Sequence, residues 1–379
     1  METETKRVGR ENVFDWVSSP YLNHSFSVLR KRAGNFWLCL FIVLLLDALA
    51  NPYAGIVHDA RLYALQALAH LHPGRYEKDL FFLFGSQDDF SLFSLIHAQA
   101  ISLLGLKPGT FFLYLASRIL LLSSFLSFFR NFSRDNFIAL IVASLLAAGQ
   151  LHYIIFDINE PFLTPRLAAT ALSLFCLSAL LQGERVRCLL FLLAAGLLHP
   201  LVVLGPGAVI LILWIWQKEW RLLGQLGGAV FPGLILFMLL KPEALASIDF
   251  FTPLDKEWQD IIFARSTYLF PLEWPADTWK TIAACLLLAG FSLKSLHRQQ
   301  QECVVIVVFI AALGILCTFL AIYLVPWALL FQIQPWRSFW LLKIITPVLA
   351  IFWGGALWKS GEFTKRLAAV MVVVSVVLS

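Results

Sequence analysis

Charge is what this chain lacks most. Asp, Glu, Lys and Arg make up 14% of its 379 residues while 59% are hydrophobic, against about 25% charged and 45–50% apolar in an ordinary soluble domain. So thin a polar coat cannot cover a water-soluble globule. Cysteine is scarce too, six residues with no CxxC pair. Metal and disulfide readings therefore lose support, and Cys39, Cys176, Cys188, Cys285, Cys303 and Cys317 read as small buried apolar residues. Also absent are a Walker loop, a dinucleotide-binding glycine fingerprint, an HExxH pair and a nucleophile elbow. That weighs against ATP-driven and zinc-protease functions. No tandem repeat or low-complexity linker occurs. The formal charge of +5 is dispersed over loops rather than gathered in a stripe, so nucleic acid is not an expected partner. A cleaved signal peptide is missing as well: residues 1–35 are polar and basic, and the first apolar block begins only at Phe36.

What is present is apolar sequence in blocks of about 13–22 residues, most near the ~20 a helix needs to cross hydrocarbon. Inside lipid every backbone polar group must be satisfied within the protein, so only helices or a closed barrel can span. Long blocks without period-2 alternation decide for helices. The expectation is an all-α, polytopic helical membrane protein with about 11 transmembrane helices. Spans are placed at 36–51, 109–128, 136–155, 166–182, 187–199, 202–217, 222–240, 280–296, 303–324, 337–357 and 365–379. The last block stops at Ser379 with no polar flank, which suggests that the native chain continues.

Basic residues set the orientation. With residues 1–35 as a cytoplasmic segment, Lys6, Arg7, Arg10, Arg30, Lys31 and Arg32 lie inside. So do the pairs Arg130/Arg134, Arg185/Arg187, Lys218/Arg221 and Lys294/Arg298, then Lys359, Lys365 and Arg366. Almost every short inner turn carries its basic pair, as the positive-inside rule requires. Residues 36–379 form one transmembrane domain with two long extracytoplasmic loops, 52–108 and 241–279. Residues 90–106 are apolar enough for a short span, but such a span would put Arg130/Arg134 and Arg185/Arg187 outside. They read instead as a helix lying at the interface. Residues 58–72 read as a second, with Leu62, Leu65, Leu68 and Ala69 as its apolar stripe. The protein is thus expected in the cell (inner) membrane, multi-pass, with a cytoplasmic N-terminus, an extracytoplasmic active face and the lipid bilayer as its first partner.

In this orientation the unusual polar residues gather on the outer side. His58-Asp59 opens the first loop and Asp88-Asp89 lies further along it. Asn159-Glu160-Pro161 and Thr164-Pro165-Arg166 precede the fourth span. His199-Pro200 sits where two short spans meet, and Gln334-Pro335-Trp336-Arg337 starts the tenth. Each also has an ordinary structural reading. An outer carboxylate is commonly just solvated, Asp59 suits the first turn of a helix, His199 suits a satisfied interfacial position, and Arg166 and Arg337 suit snorkelling helix ends. Within the spans lie Asp47, Arg118 and Lys343, residues that rarely face lipid. Asp47 and Lys343 are a candidate pair, and Arg118 has no identifiable partner.

An acidic residue just after the first span, in an outer loop carrying two surface helices, resembles the GT-C superfamily of integral membrane glycosyltransferases, its bacterial members above all. The resemblance rests on His58-Asp59, with Asp88-Asp89 and Glu160 in support. It implies a GT-C-like fold and transfer of a sugar from a polyprenyl-phosphate donor to a glycan, lipid or protein acceptor on the extracytoplasmic face. In direct displacement at the anomeric carbon a carboxylate takes the acceptor proton, and Asp59 is the candidate base. Arg166 and Arg337 are candidate phosphate clamps, with His199 as a donor beside them. His58, beside the base, is a candidate substrate- or phosphate-binding residue; Asp88, Asp89 and Glu160 would bind sugar hydroxyls or, if they converge, a divalent metal. Here His-Asp stands where better-known members carry an acidic pair, which leaves the metal requirement open. Two other readings stay open: a transporter or flippase of a lipid-linked sugar or small anion, and a non-catalytic membrane subunit with the same layout.

Overall fold

The computed structural model describes residues 33–83, 87–149, 152–153, 156–240, 252–360 and 362–367. The basic run up to Arg32, residues 241–251 of the second long loop and most of the last expected span lie outside them. The described chain is built from helices, in the order α1 (Phe36–Ala50), α2 (Ala60–Leu71), α3 (Phe93–Leu104), α4 (Leu106–Ser133), α5 (Asn136–Ala148), α6 (Pro165–Gln182) and α7 (Arg185–Leu198). There follow α8 (Pro200–Trp216), α9 (Trp220–Leu240), α10 (Lys256–Arg265), α11 (Ala276–Ser292), α12 (Arg298–Tyr323), α13 (Ala328–Ile333) and α14 (Trp340–Lys359). One small antiparallel hairpin, β1 (His152–Tyr153) with β2 (Phe156–Asp157), interrupts them.

The helix ends follow from local sequence. Asn35 caps α1 by accepting from the Trp37 and Leu38 amides at 3.0 and 3.2 Å, and Asp135 does the same for α5. Pro165 opens α6, and Gly183, at φ +75°, closes it in the left-handed conformation. Among the described residues four helices are long and apolar enough to cross a membrane: α4, α6, α12 and the stretch Ala328–Lys359 that joins α13 to α14. At 1.5 Å per residue the 28 residues of α4 reach about 42 Å, beyond the ~30 Å of a hydrocarbon core. Shorter apolar helices, α1, α3, α5 and α8, pack beside them.

Large apolar side chains point both inward and outward. Leu121, Leu122, Phe125, Phe128, Phe129 and Phe132 of α4 are buried against their neighbours, as are Trp336 and Phe339 just before α14 and Trp340 at its start. On α1 the opposite face carries Trp37, Phe41, Leu45 and Leu49, all exposed, and α12 exposes Phe309, Leu313, Leu316 and Leu320. Contiguous apolar surface of this kind is unfavourable in water and suits lipid contact.

Three details differ from the sequence reading. Asp47 pairs with Arg118, not Lys343: the guanidinium Nε donates to Asp47 Oδ2 at 3.1 Å and Nη2 bonds the other oxygen, with both side chains buried. Lys343 sits half-buried in α14, within electrostatic reach of Cys285 on α11. The helix expected over 136–155 stops at Ala148, because the Asn159 amide takes the terminal carbonyls of Leu146 and Gly149, at 2.5 and 2.8 Å, and turns the chain into the hairpin. On α2 the buried stripe is Tyr63, Ala64 and Ala67, while Leu62 is exposed. Small residues let the helix approach its neighbours closely, with Leu68 and Leu71 packed at the edge of the contact and Leu62 turned outward.

The helix ends sort the polar residues. At one end the turns joining α4 to α5, α6 to α7 and α11 to α12 lie together: Arg134 donates to Gln299 at 3.1 Å and Gln299 to the Leu181 carbonyl at 3.1 Å. The candidate site lies at the other end.

Candidate functional site

The site starts where the chain leaves α1. Asn51 donates to Asp47 at 3.1 Å and to the Ala147 carbonyl at 2.7 Å, which pins the exit from α1 to the end of α5. The Ala54 amide then bonds the Pro161 carbonyl at 2.7 Å, and so draws the segment before α2 against the segment before α6. His58 follows with φ +48°, a left-handed conformation unusual for a side-chain-bearing residue. That turn aims the next residue inward. Asp59 precedes α2 yet makes no capping bond to it. Its Oδ2 accepts from Arg166 Nη2 at 2.7 Å, and its Oδ1 lies 3.0 Å from His58 Nδ1.

Arg166, in the first turn of α6, is the centre of the cluster. Its Nε donates to Glu160 Oε1 at 2.6 Å while its Nη2 reaches both Glu160 and Asp59. Glu160 is buried and also accepts from the Thr164 hydroxyl. Burial pushes its carboxyl above the ordinary range, and the Arg166 guanidinium and Thr164 hydroxyl pull the other way. The result is a continuous polar chain, Glu160–Arg166–Asp59–His58, running from a fully buried carboxylate to an exposed imidazole. The His58 side chain is 73% exposed, against 32% for Asp59 and 6% for Glu160. Its ring rests on Phe162, with centroids 5.5 Å apart.

Two further elements close on this cluster. His199 joins α7 to α8, where the Ser91 hydroxyl and Leu92 amide bond the Leu198 and Leu197 carbonyls at 2.6 and 2.8 Å. Its ring is buried, and Nδ1 has no hydrogen-bond partner among the described residues. Arg166 and Arg337 both lie within electrostatic reach of it. Arg337 is held by a turn, Pro335–Phe339, that packs directly on α8 and α12. A Cβ on Gly205 would meet Leu341 at 3.0 Å, and one on Gly314 would overlap Pro335 and Ser338. Gln334, at φ +47°, accepts from Arg337 Nε at 2.7 Å, and the guanidinium lies 5.7 Å from the Trp336 ring.

Of the residues singled out in the sequence, His58, Asp59, Glu160 and Arg166 are bonded together, with His199 and Arg337 around them. Asp88 is engaged elsewhere: its Oδ2 lies 2.8 Å from His70 Nε2, which in turn lies 3.0 Å from the Ser94 hydroxyl, and this ties the turn before α3 to α2. Asp89 is half-buried in that turn. Tyr63 went unnoticed in the sequence. It lies buried within reach of Asp59, Glu160, Arg166 and Arg337, and burial raises its phenol above the usual range. Its spacing of four from Asp59 was the available signal, since that places both on one helix face. Among the described residues no three His, Cys, Asp or Glu side chains converge to hold a metal ion. Asp59 and Glu160 are bridged by the Arg166 guanidinium, so these residues do not fit a metal site. Searches of family models, curated proteins and solved structures found no match to this chain.

Proposed function

We propose that this chain is a membrane-embedded glycosyltransferase of GT-C type, moving a sugar from a polyprenyl-phosphate donor to an acceptor hydroxyl at the extracytoplasmic ends of its helices. The observation that carries the reading is the chain Glu160–Arg166–Asp59–His58 beside Arg337 and His199. It joins a base to cationic groups at one end of helices fit for a bilayer. In the reaction the acceptor oxygen attacks the anomeric carbon. The bond from that carbon to the phosphate oxygen breaks, and the phosphate leaves with the electron pair. The hydroxyl proton passes to the His58–Asp59 pair.

Asp59 is the base expected from the sequence, and its geometry refines that role. With Oδ2 held by Arg166, its Oδ1 orients His58 through Nδ1, leaving Nε2 outward as the acceptor nitrogen. Arg166 already bridges two carboxylates, so its role is to organise them. Arg337 and His199 supply the charge and hydrogen bonds for the departing phosphate. The test is transfer of labelled sugar from polyprenyl phosphate donors by the purified protein in liposomes. Asp59→Asn and His58→Gln should each lose about 10²–10⁴ of the rate, and Arg337→Gln should weaken donor binding. Activity equal to wild type in Asp59→Asn removes the base from this pair. No transfer by the wild type across a panel of polyprenyl-phosphate sugars removes the transferase reading.

A further inference from the structure

The end of the molecule remote from this site contains a cavity of about 200 Å³. It lies at the far end of α6 from Arg166, roughly 22 Å along the helix axis at 1.5 Å per residue. Its floor is apolar, made by Leu177 and Leu180 of α6, Leu213 of α8 and Leu222 of α9. Its rim is charged: Arg185 and Glu219 on one side, Glu302 on the other. It adjoins a shallower depression that shares Glu302 and adds Arg298 and Trp216. Trp216 and Trp220, 73% and 65% exposed, stand on the outer surface beside it. Exposed tryptophans at helix ends mark the depth where headgroups meet acyl chains.

We infer that this cavity binds a zwitterionic phospholipid with a phosphoethanolamine headgroup. The charges fit that class. Glu219 and Glu302 offer carboxylates to the three N–H donors of a primary ammonium, while Arg185 and Arg298 offer guanidinium groups to the phosphate. At present these four satisfy one another through loose surface pairs, Arg185–Glu219 at 3.5 Å and Arg298–Glu302 at 3.1 Å, in which Arg185 and Arg298 are 54% and 91% exposed. Such pairs are weak and screened, so a headgroup carrying both charges can replace them without leaving any group unpaired. An anionic headgroup would meet the two glutamates with no ammonium to offer. A choline headgroup carries no N–H to donate. The leucine floor accepts the upper methylenes of an acyl chain.

The inference shares only the membrane setting with the proposed function, and it is read without any transfer assay. The full-length protein would be incorporated into nanodiscs of equimolar phosphatidylethanolamine, phosphatidylglycerol and phosphatidylcholine. It would then be extracted into mild detergent, and the retained lipid counted by native mass spectrometry. The wild type should retain phosphatidylethanolamine over either competitor by about tenfold, the scale of charge-assisted hydrogen bonds. The double variant Glu219→Gln/Glu302→Gln should bring that preference close to unity. Glu302→Gln alone, a milder change, should lower it partway and serves if the double variant does not fold. Equal retention of the three lipids by the wild type overturns the proposal, as does an unchanged preference in the folded variants. Preferential phosphatidylglycerol retention overturns it in favour of an anionic-lipid site.

Discussion

Removing the carboxylate of Asp47 should be among the most destabilising single changes available in this chain. The pair it forms with Arg118 joins α1 to α4 inside the helix packing, with side chains 7% and 2% exposed. Asp47→Asn leaves a buried guanidinium facing a neutral amide, and breaking a buried pair in this way costs about 3–5 kcal/mol. Arg118→Met should cost less, because methionine fills part of the arginine stem's volume and an abandoned carboxyl can take up a proton and shed its charge. The double variant should be less destabilised than Asp47→Asn alone, since no uncompensated charge remains. The coupling between the sites should then be about 1–3 kcal/mol. The assay is unfolding in mixed micelles of rising SDS fraction, followed by helical circular dichroism and by the fluorescence of the 13 tryptophans. Single-variant effects that add to the double within about 0.5 kcal/mol would show that the two residues do not interact. A cost below about 1 kcal/mol for Asp47→Asn would show that the guanidinium is not desolvated, and would refute the burial argument itself.

Two further predictions concern elements around the site. His97 of α3 is fully buried, with Nε2 2.9 Å from the Thr110 hydroxyl, and burial lowers its pKa from 6.5 to about 4. The folded value lies below the unfolded one, so the neutral imidazole contributes stability above pH 6.5 that is lost as pH falls from 6.5 through about 4. That amounts to about 3 kcal/mol at most. Unfolding midpoints between pH 7.5 and 4 should fall for the wild type and flatten for His97→Gln; parallel curves for the two would exclude His97 as the source. Gly314→Ala would push a methyl group into Pro335 and Ser338. It should cost about 1–3 kcal/mol as overpacking and displace the turn that carries Arg337. Gly290→Ala, whose new Cβ meets nothing within 4 Å, should stabilise by about 0.5–1 kcal/mol. Equal melting shifts for the two glycine variants would dismiss the close approach.

The helices were readable because apolar blocks and capping residues such as Asn35, Asp135 and Pro165 carry local signals. Which face of each helix turns inward was not. In a soluble protein an apolar stripe marks the core, but a lipid-facing leucine and a packed leucine are equally apolar. That is why the apolar stripe read on α2 includes the exposed Leu62, while Tyr63, Ala64 and Ala67 are buried against the protein. Polar residues behaved the other way. Set in so apolar a chain, His58, Asp59, Glu160, Arg166, His199 and Arg337 stood out, and all six lie in one region. Their partners were a matter of tertiary geometry. Asp47 and Arg118 are 71 residues apart and Asp59 and Arg166 are 107 apart, separations over which one sequence carries no pairing signal.

The pairing changes what each arginine can do. Both were equal candidates for holding an anion, since guanidinium presents the same fork to carboxylate and phosphate. Arg166 spends that fork on Glu160 and Asp59. An anion approaching it meets two carboxylates already in place and would have to displace one of them. Arg337 Nε donates to the neutral amide oxygen of Gln334 at 2.7 Å. His199 Nδ1, which has no hydrogen-bond partner among the described residues, lies within electrostatic reach of Arg337. In the proposed transferase the two arginines divide the work, Arg166 being engaged by Glu160 and Asp59. Arg166 fixes the orientation of the base from behind, and Arg337 with His199 meets the phosphate. A site that had used one arginine for both tasks would set the base and the leaving group in competition for one guanidinium.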